Sequence, residues 1–282
     1  MSILHSSTTI TADDGVKLHV QDSQTDGRPV LLIHGWPLSS NTWEHQATAL
    51  SDAGYRVIAH DRRGFGHSEA SADAADYGYN RLAKDVDTII SALDLNDVTL
   101  VGFSMGGGEV ARFFTIGDTS RIHSAVFACA VPPFLLNTSD NPEGPLTDAD
   151  WQAQNDELKN NREEFLEGFS HGFFSVDDEL KVSEQERLKA LELAKKSNHD
   201  AALACQQAFS TTDFREDLSK ISVPTLVIHG DSDAIVPFEK SGERTAQAVP
   251  NATVHVIKGA PHGANVSHAS EFNEALLTFL NQ

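Results

Sequence analysis

The chain has 282 residues, of which 40% are hydrophobic and 22% charged. That length accommodates one α/β domain with an insertion, and the composition is that of a globular chain rather than a disordered one. Lys and Arg total 21 against 41 Asp and Glu, a formal net charge of −20, which repels nucleic acid and anionic lipid and argues against either as a partner.

The opening stretch, MSILHSSTTITADDG, has no basic flank followed by an apolar run. No secretory leader is read there, and a cytoplasmic location is expected. Nowhere do about 18 or more apolar residues run together, so no membrane span is expected. Val16–Val20 alternates as VKLHV, the pattern of a half-exposed antiparallel strand. Val30–Ile33 is continuously apolar and ends in His34-Gly35, which suits a strand buried on both faces. Helix-period segments and short apolar runs then alternate: helix at Thr42–Leu50, strand at Arg56–Ala59, helix at Leu82–Leu93, strand at Val98–Val101, helix at Gly107–Phe114, strand at Ala125–Ala128. Such alternation predicts an α/β fold, a mostly parallel sheet with helices on both faces.

The alternation stops between Val131 and Leu218. That stretch is helical in composition and rich in charge (WQAQNDELKNNREEFLEGF, SEQERLKALELAKK) and holds no buried-strand run. It resumes with strands at Thr225–Ile228 and Val254–Ile257 and a last helix at Glu271–Leu280. The expected organisation is a core of residues 1–133 and 216–282 with a helical cap, 134–215, inserted between two sheet strands. The apolar cap residues Phe165, Phe169, Phe173, Phe174 and Phe209 then need a surface to cover. The carboxyl edge of the sheet, where open α/β folds bind ligands, is the natural place. Phe134 and Phe209 are the candidates for lining a substrate pocket there.

The chemistry is concentrated at Gly102-Phe103-Ser104-Met105-Gly106, between the strand Val98–Val101 and a helix. A serine forced into a sharp strand-to-helix turn projects its hydroxyl outward, and flanking glycines tolerate the crowded backbone. The helix N-terminus lends positive charge to a developing oxyanion. In folds built around such a turn the partners follow in the order Ser, acid, His. His262, in Lys258-Gly-Ala-Pro-His262-Gly263 after the strand at Thr253–Ile257, is the candidate base. Asp231 and Asp233, in His229-Gly-Asp-Ser-Asp233, compete as its acid. Asp233 is favoured, with Asp231 as a turn former. Two oxyanion donors are required, and the backbone N–H groups of Met105 and Trp36 hold the expected positions. Pro37 has no N–H and stiffens the loop.

The chain has 13 histidines. His34 and His229 precede glycines at strand ends and are expected to hold loops, and His60 and His67 read as scaffold. No H-E-x-x-H and no tight His/Cys/Asp run appears in the sequence, so no metal is assigned. The two cysteines, Cys129 and Cys205, are expected as buried free thiols.

Taken in order, H-G-W-P-L (34–38), D-R-R-G-F-G-H-S (61–68), G-F-S-M-G-G-G-E (102–109), A-V-P-P (130–133), A-F-S-T-T-D-F (208–214), H-G-D-S-D-x-I-V-P (229–237) and A-P-H-G (260–263) resemble the cofactor-free bacterial haloperoxidases. These α/β-hydrolases are also called perhydrolases and sit close to aryl esterases. The resemblance implies an eight-stranded core with a helical cap, a triad of Ser104, Asp233 and His262, oxyanion donors Trp36 and Met105, and no cofactor. It also implies Asp233 over Asp231. The implied activity is cleavage of small carboxylic esters, together with peracid formation from a carboxylic acid and hydrogen peroxide. Its partners would be a small ester or acid and peroxide. Some relatives cleave lactones or lactams. From a different class, a non-catalytic small-molecule receptor would keep the fold but turn over no ester, and an intact triad argues against it.

Overall fold

A computed structural model describes residues 6–282. The first five residues of the segment scanned above for a leader lie outside the described residues. The centre of the molecule is an eight-stranded sheet in the order β1-β2-β4-β3-β5-β6-β9-β10. Its strands are β1 (Ser6–Thr11), β2 (Lys17–Asp22), β3 (Pro29–Ile33), β4 (Arg56–His60), β5 (Val98–Phe103), β6 (Ile122–Ala128), β9 (Thr225–Gly230) and β10 (Ala252–Ile257). The β1–β2 and β2–β4 pairings are antiparallel, and every pairing from β4 to β10 is parallel. A parallel pair needs a crossover, and the helices supply it. These are α1 (Glu44–Asp52), α2 (Tyr79–Ala92), α3 (Met105–Ile116), α9 (Gly242–Ala248) and α11 (Ala269–Leu280), with the single turn α10 (Ala264–Ser267) before the last.

β3, β5 and β9 are buried along their whole length, as their continuous apolar runs require. β10 departs from that expectation. It lies at the edge of the sheet with no strand beyond it, and Val254 and Val256 are 46% and 38% exposed. The expected helices all form; the one expected at Thr42 begins as an α-helix at Glu44, while the other three start earlier than their apolar period shows. The one expected at Leu82 begins at Tyr79, and the one expected at Gly107 begins at Met105.

Between β6 and β9 the chain forms α4 (Asp148–Asn160), α5 (Arg162–Phe174), a two-residue hairpin of β7 (Ser175–Val176) and β8 (Glu179–Leu180), α6 (Glu184–Lys195), α7 (His199–Thr211) and the short α8 (Arg215–Leu218). Thr147 and Ser183 start α4 and α6 with reciprocal capping boxes to Asp150 and Glu186. Each box satisfies N–H groups that the first helical turn would leave unpaired.

Register decides where the chemistry falls. Ile33 lies opposite Gly102, Gly102 opposite Phe127, and Phe127 opposite Val227. Val254 closes the row opposite Val227, and three residues further on the ends of these two strands, Gly230 and Ile257, are paired. The loops that leave these strands therefore start from one edge of the sheet.

Candidate active site

Ser104 occupies the step from β5 into α3 with φ 53 and ψ −118, a left-handed conformation rare for a residue with a Cβ. The surroundings hold it there. Ser104 N–H donates to the Ala128 carbonyl at 2.9 Å, and its own carbonyl accepts from Gly107 and Val131 at 3.0 and 3.2 Å. The flanking glycines are needed for close approach. A Cβ on Gly102 would stand 2.4 Å from the Gly106 oxygen, and one on Gly106 would stand 2.5 Å from the Ile33 oxygen.

His262 reaches this serine from the loop after β10. Its Nε2 lies 2.9 Å from Ser104 Oγ, and its Nδ1 lies 2.7 Å from Asp233 Oδ2. The other oxygen of Asp233 accepts from the Ile235 and Val236 N–H groups at 3.0 and 2.8 Å. Burial pushes the Asp233 carboxyl up, but the His262 and His229 imidazoles beside it more than offset that and hold it well below the usual carboxylate range. Asp231, the competing acid, is exposed. It braces the turn by accepting from Gly259 N–H at 2.6 Å and Ser232 Oγ at 2.9 Å.

Met105, as the first residue of α3, has no earlier helical carbonyl to bond. Trp36 follows β3 in the loop whose turn is closed by Leu38 N–H on the Gly35 carbonyl at 3.1 Å. A Cβ on Gly35 would lie 3.2 Å from Ser104 Cβ, which places this loop directly against the serine.

Among the residues that support the site, Arg62 and Glu109 gave no separate signal in the sequence. His34 was expected to hold a loop, and it does so in a fixed tautomer. Nε2 accepts from Arg62 N–H at 3.0 Å, so Nδ1 carries the proton that it donates to the Gly35 carbonyl at 2.8 Å. Arg62, fully buried, donates from Nη2 to the His34 carbonyl at 2.6 Å and from Nε to Glu109 of α3 at 2.6 Å. Burial pushes the Glu109 carboxyl up to about 7 against the pull of Arg62. His229 places its Nε2 2.8 Å from the Val236 carbonyl and 3.3 Å from Asp233 Oδ2. His67 meets Asp61 at 3.4 Å, while His60 is buried with neither ring nitrogen bonded.

A cavity of about 570 Å³ opens beside Ser104 and His262, within the usual range for a small-molecule site. Trp36 forms part of its wall. The indole donates to the Ala202 carbonyl at 3.0 Å and meets Phe169, Phe209 and Phe165 edge-on at 5.2, 5.6 and 6.1 Å. Three of the five expected cap phenylalanines thus line the cavity. Phe173 instead packs edge-on against the His262 ring at 5.1 Å, and Phe174 packs on Phe173 at 4.8 Å. Of the two pocket candidates, Phe209 lines the cavity and Phe134 does not. Phe134 is a correction: its ring lies under the Arg215 guanidinium at 5.4 Å, and the neighbouring Val131 and Leu135 face the cavity. No regular strand continues past Ala128, so the sequence carried no period from which to tell those faces apart.

Among the described residues two groups of side chains offer three ligand-type atoms lying within 4.8 Å of one another: His19, Asp61 and His67, and the buried Cys129, His229 and Asp233. In the second, Asp233 already serves His262 and two backbone N–H groups, and burial pushes the Cys129 thiol well up. Both Cys129 and Cys205 are buried free thiols. Among the described residues no helix is long and apolar enough to cross a membrane.

The family model for the alpha/beta hydrolase fold matches residues 28–269. The chain belongs to the α/β-hydrolase family. Within that family this hydrolase is 41% identical to a non-heme chloroperoxidase, CPO-A1, of Kitasatospora aureofaciens, over 96% of the chain and 98% of the relative. It is 36% identical to a bifunctional esterase/perhydrolase of Acinetobacter calcoaceticus, again over 96% of the chain and 98% of the relative. Among solved structures it is similar to a bromoperoxidase from Bacillus anthracis, with 49% identity and a TM-score of 0.94 over 98% of this hydrolase and 100% of that chain.

Proposed function

We propose that this hydrolase cleaves small carboxylic esters through an acyl-enzyme on Ser104, and that hydrogen peroxide competes with water for the acyl group. The observation that carries this reading is the unbroken path from Asp233 Oδ2 through His262 to Ser104 Oγ, at 2.7 and 2.9 Å, opening into the cavity. Ser104 Oγ attacks the ester carbonyl as its proton passes to His262 Nε2. The carbonyl oxygen takes the negative charge against the N–H groups of Trp36 and Met105. Collapse expels the alcohol, which leaves with the proton from His262. Water then attacks the acyl group, gives its proton to His262, and releases acid and free Ser104. With peroxide in place of water the same step releases a peracid, and no electron leaves the protein. Asp233 holds the imidazole in the required tautomer throughout.

The names of the relatives, which include an esterase/perhydrolase and haloperoxidases, support both halves of this reading. Residues 134–215 act in it as a cap over the core formed by 1–133 and 216–282. The buried free thiols suit a reducing compartment, and the cytoplasm is the proposed location. A panel of p-nitrophenyl esters of graded chain length, run with and without peroxide and bromide, tests the proposal. Ester turnover and ester-dependent bromination should both appear with wild type. Ester turnover without bromination would restrict the function to esterase, and no turnover of any ester would overturn it.

A further inference from the structure

The wall of the cavity is largely apolar, and Gln206 is a polar exception that the proposed chemistry leaves unused. It lies on α7, one turn after Ala202, whose carbonyl holds the Trp36 indole, and one turn before Phe209. Gln206 is 1% exposed yet lines the cavity. Its neighbour fixes its orientation. Asn155 Nδ2 donates to the Leu203 carbonyl at 3.2 Å, and the same nitrogen donates to Gln206 Oε1 at 2.9 Å. Gln206 therefore turns its oxygen to Asn155 and keeps its NH₂ as the free end. Among the described residues that NH₂ has no hydrogen-bond partner. An occupant of the cavity that displaced water but offered no acceptor would leave this buried donor unpaired, which is costly.

The rest of the wall sets the charge of the acceptor. Among the described residues no Lys or Arg lines the cavity, while Asp150, Glu157 and Glu164 do, all three on exposed positions of the cap. A carboxylate entering past them is repelled, and an ether, ester or hydroxyl oxygen is not. We infer that Gln206 selects, for the ester cleavage proposed above and resting on it, uncharged esters that carry a second acceptor oxygen in the part that fills the cavity.

The test compares p-nitrophenyl alkanoates with oxa analogues, in which oxygen replaces one CH₂ at successive positions of the acyl chain. Each kcat/KM is divided by the rate of alkaline hydrolysis of the same ester. Wild type should favour one oxa position over its parent by about threefold to tenfold. The anionic p-nitrophenyl hemisuccinate should fall below both. Gln206→Met keeps the length and loses the donor, so the oxa-to-parent ratio should drop to roughly one, the value for a lost hydrogen bond. Gln206→Glu keeps an oxygen toward Asn155 and should erase the preference too, so the test survives if the methionine variant does not fold. A wild-type ratio near unity at every position, or a preference that persists in either variant, overturns the inference. Hemisuccinate turned over as fast as the alkanoates would overturn its uncharged part. Failure of the underlying hydrolase reading is distinguishable, because then no ester of either series is turned over and a phosphonate does not label Ser104.

Discussion

At the scale of single residues, the site rests on three side chains contributed by loops that are far apart in sequence. Ser104→Ala removes the nucleophile and should lower kcat on p-nitrophenyl esters by roughly 10⁴-fold or more. An organophosphonate should add one mass increment to wild type and none to the variant. Substantial esterase activity in Ser104→Ala would mean that another group attacks. Asp233 permits a prediction about stability. Its carboxyl is held below the usual range in the folded protein, so its contribution is fully present above the ordinary carboxylate value of about 4 and fades as pH falls below that. The gap in Tm between wild type and Asp233→Asn should therefore narrow as the pH is lowered from about 5 to 3. A gap that stays constant over that window would show that the low carboxylate value contributes nothing to folding.

At the scale of elements, the sheet and the cap were legible to different degrees. Buried parallel strands announce themselves as unbroken apolar runs, so β3, β5 and β9 stood out, as did the turns that leave their ends. Ser104, Asp233 and His262 were legible for the same reason, since each follows a strand that could be recognised. The short loop from β6 toward the cap and the faces of the cap helices were not. Those faces answer to tertiary neighbours: Phe209 turns to Trp36, whereas Phe134 is claimed by Arg215, which lies 81 positions further along. Gln206 was missed because nothing in AALACQQAF distinguishes it from Gln207 as the glutamine that faces a cavity. The contrast between the two phenylalanines makes a paired test. Phe209→Ala should enlarge the cavity and move the acyl-chain optimum toward longer esters. Phe134→Ala should leave that optimum in place and lower Tm, by less than the roughly 3 kcal/mol of a core aromatic, because its ring is buried under Arg215 outside the main hydrophobic core. An unmoved optimum in Phe209→Ala would take that ring out of the acyl-binding wall.

At the scale of the whole molecule, the formal charge of −20 acts on every folded copy. Like charges spread over one small domain repel one another, and salt screens that repulsion within about 10 Å at 0.1 M. Raising sodium chloride from about 0.02 to 0.5 M should therefore raise Tm, with most of the gain at the low end of that range. A flat or falling profile would mean that salt weakens local ion pairs, such as Arg63 with Asp85 and Arg187 with Glu184, at least as much as it screens the net repulsion.

The attachment of the cap to the loop of the base has a consequence for turnover. Gly263 N–H donates to the Phe173 carbonyl at 2.8 Å, one residue past His262, while the Phe173 ring rests against the imidazole. α5 is thus tethered to the segment that carries His262, the proposed base. A displacement of α5 would break that hydrogen bond and withdraw the Phe173 ring from the His262 imidazole together. Substitutions in the outer turns of α5, far from Ser104, would accordingly register in the turnover number as well as in KM.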